Sequence, residues 1–529
     1  MKRPTVLRDD RWTALGERSF DLLVIGGGIT GCGIARAAAL RGLGVALLEK
    51  DDFASGTSSR SSRLVHGGVR YLEHGHLHLV FESSAERRRL LRLAPHLVRP
   101  LEFTWPVYRG ARIPRWKLGA ALTLYDVLAL FRNVRRHQRL SRDGVLGREP
   151  TLRQEGLLGG ATYFDASTND ARLTLANAIG ALEAGAVALN HVAATEIVRD
   201  AGRVTGVTAT DALTGRSTRV RASVVVRAVG PWTAEIRGSK GAHIAVPRER
   251  VGNRNALTLI SPTDGRVLFA LPAGEQAMIG TTDTYTSASP DEVRASNDDV
   301  RYLLDAANTF FPRAALTARD VVSAWAGIRP LVPSAGETPG SASREHAVST
   351  DDAGLVTITG GKLTTYRVMA NDVLSAVARR VPLGEGADLT RTLALPGGDF
   401  SSLADLSTDA QRTIGDAALA AWLAGRYGTR WSSVWEEIGK PGGAEPVSEC
   451  TREPMGELTY AVRYELASTL GDLLMRRTQI AFETRDHGAA AAERVAEVVA
   501  PILGWDRDHR RRALDEYARE VERTFAVSA

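Results

Sequence analysis

The 529-residue chain has two cysteines, Cys32 and Cys450. They stand in no metal-ligand or redox spacing, which excludes a thiolate zinc centre and a disulfide framework. No apolar run reaches the roughly 20 residues of a membrane-spanning helix, and no apolar leader opens the sequence. A reducing, cytoplasmic-side location is the expectation. Neither sign of charge dominates: 67 basic residues against 61 acidic ones leave a net charge of +6. So small an excess suits an anionic substrate or a membrane surface as well as nucleic acid, and decides nothing alone. Nucleic-acid binding ranks last, because the basic residues are scattered and lack interleaved aromatics. No internal repeat is evident, and an ordinary hydrophobic share of 44% leaves room for two or three globular domains.

What is present is a stretch from Asp21 to Glu49: an apolar run, a glycine turn, an alanine-rich segment, and a second apolar run ending on an acid. That order suits a β-α-β unit that grips the pyrophosphate of a dinucleotide. Gly26 permits the tight turn after strand Leu22–Ile25, and Gly28 lets the backbone approach the phosphates. Gly31 lets the following helix pack closely on the sheet, with free N–H groups at its N-terminus. Glu49 closes the second strand where an acid accepts bonds from ribose hydroxyls. A free ribose implies FAD or NAD rather than NADP. Cys32, inside the glycine turn, reads as a small packing residue.

Beyond this unit, 51–62 is a loop crowded with Ser, Thr and Gly. A helix over Leu77–Ala94 carries Arg87-Arg88-Arg89, read as a solvated face. Trp116–Phe131 is dense in apolar residues and runs directly into a basic cluster. It fits either an ordinary buried helix with a solvated basic end or an interfacial helix on an anionic leaflet; the reading leans to membrane contact over 114–142. Asp170–Ala184 is a helix with Asp170 as its cap. Strands are expected at Val187–Leu189, Ala193–Arg199, Arg203–Asp211 and Arg219–Val229. From His243 to Thr282 the pattern is that of an antiparallel sheet inserted in the dinucleotide fold. The chain returns through strand Leu355–Thr359, the turn Gly360-Gly361-Lys362, and a helix over Leu363–Arg380. Residues 381–402 read as a linker. Beyond them helices are expected over Asp409–Tyr427, Tyr460–Arg477, Ala489–Leu503 and Arg507–Phe525.

The block Gly56-Thr-Ser-Ser-Arg-Ser-Ser-Arg-Leu-Val-His-Gly-Gly-Val-Arg-Tyr-Leu-Glu73 is far more specific than the glycine turn. With Ile25-Gly-Gly-Gly-Ile-Thr-Gly-Cys-Gly33, Lys240–Arg248, Ile279–Asp283, Ala326–Leu331 and Gly360–Arg367, it closely resembles the FAD-dependent glycerol-3-phosphate dehydrogenases, over nearly the whole chain. Two departures stand out. Cys32 occupies a small-residue position, and Ala228-Val229-Gly230 replaces Ala-Thr-Gly, which loses one hydroxyl near the cofactor.

The resemblance implies an α/β fold in three parts. A discontinuous, Rossmann-like FAD-binding domain is expected over 1–75, 160–235 and 350–382. An antiparallel-sheet substrate domain takes 76–159 and 236–349, and a C-terminal helical domain takes 400–529. It implies oxidation of sn-glycerol 3-phosphate to dihydroxyacetone phosphate, with electrons passed to membrane quinone. An oxidase making hydrogen peroxide, or a non-catalytic flavin-binding redox sensor, are the alternatives. Peripheral contact with the inner face of the cytoplasmic membrane is implied, and a homodimer is left open.

The implied roles fit the residue types. A phosphate needs fixed cations, and the arginine fork matches two oxygens. Arg329 is expected near the C2 oxygen, with Arg70, Tyr71, Arg344 and Lys362 as substrate-binding groups. His243 is the candidate base, since neutral imidazole accepts a hydroxyl proton as hydride leaves. His66 is the rival, though its place before Gly67-Gly68 suggests packing against the flavin. Gly361 and Lys362, with Leu363 and Thr364 at the following helix N-terminus, suit negative charge developing on the flavin. Thr57, Ser58 and Ser62 serve either the cofactor or local turns. Gly67, Val192 and Gly230 complete the expected cofactor contacts; no metal is expected.

Overall fold

The computed structural model describes residues 8–69, 76–130, 133–233, 237–331, 345–384, 388–449 and 451–528. Two sheets carry the fold. The first has the order His346–Thr350, Val356–Gly360, Ser217–Arg227, Ser19–Ile25, Val45–Leu48, Val187–Leu189. All neighbours after the first pair run parallel. Strands buried on both faces lose the apolar–polar alternation. Val45–Leu48 is wholly buried: Val45 and Leu47 face helices Ile29–Ala39, Asp170–Glu183 and Tyr366–Val377. Ala46 and Leu48 face the opposite side, covered by the hairpin Val192–Asp200/Arg203–Asp211 and helix Arg8–Glu17.

The second sheet is the larger, with the order Thr284–Tyr285, Arg237–Pro247, Gln276–Gly280, Val267–Ala273, Ala256–Ile260, Val98–Tyr108, Leu157–Thr168, Leu64–Val65. Strand Ser323–Leu331 pairs with the other side of Arg237–Pro247. His243 therefore stands between Gly280 on one neighbouring strand and Trp325 on the other. The domain division expected from sequence cuts strand Leu157–Thr168 at 160, yet that strand pairs throughout with Val98–Tyr108 in this sheet.

The C-terminal helices share a continuous core with this sheet. Trp105, Met278 and Trp325 pack in one cluster with Leu458, Phe482 and Val495. The helix expected over 409–427 is two, Leu403–Ile414 and Ala417–Tyr427. They are broken at Gly415 (φ +82°), after which Asp416 caps the second by accepting from Ala418 and Leu419 N–H. The helix expected over 460–477 ends at Tyr464, and Asp472–Arg477 forms a separate π-helical turn.

Two local readings are corrected. The cap of helix Asp170–Glu183 is Asn169, whose side chain accepts from Arg172 N–H. Asp170 turns inward and accepts instead from the Ser61 N–H and hydroxyl. In the Arg87-Arg88-Arg89 run only Arg88 is exposed. Arg87 is buried and donates to Asp165 and to the Tyr125 hydroxyl. Helix periodicity carries it to the inner face, where a carboxylate one strand away makes burial tolerable.

Candidate active site

The glycine turn is built as the spacing requires. At Gly26 (φ +110°) an added Cβ lies 2.5 Å from the Ala228 carbonyl oxygen, and at Gly31 it lies 1.8 Å from that of Gly26. Only glycine lets the helix start so close to the strand. The Ile29 N–H at that helix start donates to Ser58 Oγ, 3.0 Å away. Glu49, at the end of the next strand, accepts from Gly27 N–H (2.5 Å) and Asp51 N–H (2.9 Å). Burial pushes its carboxyl up to about 7, against the two N–H donors that pull it down.

From this turn a cavity of about 410 Å³ extends to the second sheet. Gly26, Gly28, Glu49, Ser58, Val192 and Gly230 line it near the turn. Thr57, Ser62, His66, His243, Arg329, Gly361, Lys362, Leu363 and Thr364 line the remainder. The tertiary structure thus gathers residues more than 300 positions apart. Gly31 and Gly67 do not line it. Gly31 serves helix packing, and Gly67 lies behind the wall, its N–H donated to Asp165 Oδ1 at 3.0 Å. Arg70, Tyr71 and Arg344 lie outside the described residues.

The hydroxyls divide by partner. Thr57 Oγ1 donates to the Ile328 carbonyl at 2.6 Å, whereas Ser62 Oγ is 2.9 Å from His243 Nε2. His66 N–H donates to Thr364 Oγ1 at 3.3 Å, tying the two glycine-rich segments together.

His243 is buried, its ring stacked on Trp325 with centroids 5.5 Å apart and planes 13° apart. Gly280 makes the space on its other side, since a Cβ there lies 2.3 Å from His243 Cδ2. Burial first, then the positive charges of Arg329 and Arg63, pull the imidazole down to about 3. It is therefore neutral at physiological pH. Arg329 crosses Gly241 and is fixed by Asp283 Oδ1 (2.9 Å), Thr281 Oγ1 (2.9 Å) and the Thr282 carbonyl (3.2 Å). Asp283 also accepts from Ser239 Oγ.

A family model described as FAD dependent oxidoreductase matches residues 21–367, and one described as the C-terminal domain of alpha-glycerophosphate oxidase matches 389–510. Glycerol-3-phosphate dehydrogenase of Mycobacterium leprae is 38% identical over 97% of this chain and 89% of its own length. Aerobic glycerol-3-phosphate dehydrogenase of Staphylococcus aureus is 34% identical over 97% of this chain and 95% of its own. The chain belongs to the glycerol-3-phosphate dehydrogenase family of FAD-dependent oxidoreductases. Among solved structures, that of the family member from Bacillus halodurans, complexed with FAD, covers 98% of both chains at 33% identity and a TM-score of 0.81.

The residues present fit FAD. A Cβ-free turn faces a helix N-terminus, an acid closes the adjacent strand, and the cavity continues past both to a second glycine turn. Thr281 and Asp283 stand inside the Ile279–Asp283 motif, but their role as the cradle of Arg329 needed the strand pairing to become visible. Trp325 carried no signal, because an aromatic in a strand is common; Arg63 stands inside the Gly56–Glu73 block, but nothing there marks it as a neighbour of His243.

Proposed function

We propose that the chain oxidises sn-glycerol 3-phosphate to dihydroxyacetone phosphate with bound FAD and passes the electrons to membrane quinone. The observation that carries this reading is that His243, Arg329 and Lys362 line the same cavity as the dinucleotide turn. When bound, FAD supplies the hydride acceptor. His243 Nε2 takes the C2 hydroxyl proton as the C2 hydride leaves and the carbonyl forms. Arg329, immobilised by Asp283 and Thr281, donates to the C2 oxygen and needs no reorganisation to do so. Lys362 and the backbone N–H groups that follow it add positive potential in the same cavity. Arg70, Tyr71 and Arg344 are assigned to the phosphate on sequence grounds alone. A dianionic phosphate beside Arg329 offsets the cationic field, raising the proton affinity of His243 when substrate is bound.

Peripheral membrane contact is part of the same proposal, because quinone is dissolved in lipid. No helix among the described residues is long and apolar enough to cross a membrane. Helix Arg115–Leu128 exposes Trp116 (73%), Leu124 and Val127, continued by Leu130 and Val134. Leu77 and Phe81 are exposed on the neighbouring helix Leu77–Leu93. Arg115, Lys117, Arg135 and Arg136 are exposed among them. An apolar face rimmed by cations suits the boundary of an anionic leaflet.

The test is spectroscopic. Anaerobic addition of glycerol 3-phosphate should bleach the flavin absorbance of the purified enzyme; unchanged absorbance rejects the reading. Reoxidation by a soluble quinone analogue faster than by oxygen supports quinone as acceptor. The reverse order favours the oxidase alternative, which the match of 389–510 to an alpha-glycerophosphate oxidase domain keeps in view.

A further inference from the structure

Among the described residues, the C-terminal helical domain contributes none to the cavity lining, yet it reaches the site through two side chains. Across antiparallel strands, residues directly opposite share a face, and Trp325 lies opposite His243. The indole stacks on the imidazole from behind. It also meets Phe482 of the C-terminal domain, edge-on at 5.2 Å and 90°. The Arg63 guanidinium completes the group, 5.7 Å from the Trp325 ring and 5.2 Å from that of Phe482. Arg63 Nη1 donates to Gln479 Oε1 at 2.8 Å, a second anchor from the same domain.

Arg63 has φ +54°, a left-handed conformation uncommon for a residue with a long side chain. Such a conformation persists where the surroundings over-determine it. Here the surroundings are Gln479 and Phe482 on one side and Ser62 on the other. Because of that turn, Ser62 delivers its hydroxyl to His243 Nε2 while Arg63 points behind Trp325.

We infer that Arg63 and Trp325 are positioning residues for His243, held in place by Gln479 and Phe482 of the C-terminal domain. The inference rests on the reading of His243 as the base. The stack fixes the plane of the imidazole, and with it the line along which Nε2 meets a hydroxyl. The Arg63 cation disfavours a second proton on the ring until substrate arrives. The charged groups facing His243 are Arg329 and Arg63. Behind them stand Asp283, paired with Arg329, and Asp170 and Glu483, whose carboxyls feel the charge of Arg63.

The experiment uses the FAD-loaded enzyme with labelled histidine, the His243 ring resonance being assigned by its loss in His243→Asn. In the wild type the Hε1 proton should be displaced by the Trp325 ring current. Phe482→Leu and Trp325→Leu should both move it toward the unstacked position and lower kcat about tenfold, with KM for glycerol 3-phosphate nearly unchanged. Arg63→Met should raise the acid limb of kcat/KM by about one pH unit, and Arg63→Lys should return it to the wild-type position. If Arg63→Met does not fold, Gln479→Leu takes its place, with a smaller shift in the same direction. A His243 resonance that stays put in Phe482→Leu overturns the inference. So does an acid limb of Arg63→Met that lies on the wild-type curve. A resonance that moves as expected while His243→Asn retains full turnover rejects instead the assignment of His243 as base, and the inference falls with it.

Discussion

Asp283 holds Arg329: Nη1 lies 2.9 Å from Oδ1, the carboxylate 4% exposed and the guanidinium 20%. The pair straddles the cavity wall, with the acid inside the protein and the cation on the cavity lining. Asp283→Asn keeps the shape and removes the charge. A hydrogen bond to a charged group contributes about 1.5–3 kcal/mol, so kcat/KM should fall roughly tenfold to a hundredfold. Flavin content should stay at the wild-type level. Steady-state kinetics beside the absorbance spectrum checks both.

Gly31→Ala places a methyl 1.8 Å from a backbone carbonyl that has no freedom to retreat. Overpacking of that kind costs about 1–3 kcal/mol or more, roughly fivefold to more than a hundredfold if it falls on FAD affinity. The variant should purify with little flavin, measured by absorbance after denaturation. Full flavin loading would show that the helix can shift.

Asp165 accepts from Arg87, from the Tyr125 hydroxyl and from Gly67 N–H, all buried. Removing one partner of a buried ion pair costs about 3–5 kcal/mol, because the other charge stays behind. Asp165→Ala should therefore lower the urea midpoint markedly. The double variant Arg87→Met, Asp165→Leu should recover much of it, because no charge remains buried.

Two buried histidines should cost stability on mild acidification, working against Glu49, whose carboxyl is pushed up to about 7 and gains stability over the same range. Burial first, then Arg172, Arg99 and Arg430, pull His96 down to about 3, and His243 is pulled down as far. Between 6.5 and 3 the unfolded chain binds protons at these histidines that the folded one refuses, so their contribution is full above 6.5 and declines as pH falls. At pH 5 each histidine accounts for about 2 kcal/mol of that loss. Thermal melts from pH 7.5 to 5 should show the decline, and His96→Asn should show a shallower slope. Parallel slopes would remove His96 as a cause.

Trp116→Ala with Val127→Ser removes two exposed apolar anchors without touching the cavity. Partitioning onto phosphatidylglycerol vesicles should drop at least tenfold, about 1.5–3 kcal/mol being the value of one large buried side chain. Turnover with a soluble acceptor should stay unchanged. Co-sedimentation equal to wild type would move the membrane contact elsewhere.

The sequence by itself determined the glycine turn and most of the elements around it. Gly26, Gly31 and Glu49 act locally, through backbone sterics and strand ends, and local rules are written in consecutive residues. The strands Val187–Leu189 and Arg203–Asp211 were legible for the same reason, each being a short apolar run between turns. What only the tertiary structure decided is which distant groups share one face. The charge of Arg87 reads as solvated until Asp165 is brought to it across the strand Leu157–Thr168. The neutrality of His243 follows from burial, from Arg329 on a neighbouring strand, and from Arg63 in a loop far away in sequence. Burial and electrostatic fields depend on distances through space, and periodicity along the chain carries no record of them. The glycine turn named the cofactor class from sequence; only the fold set His243 against Trp325 and Arg329 against Asp283 in the same cavity wall.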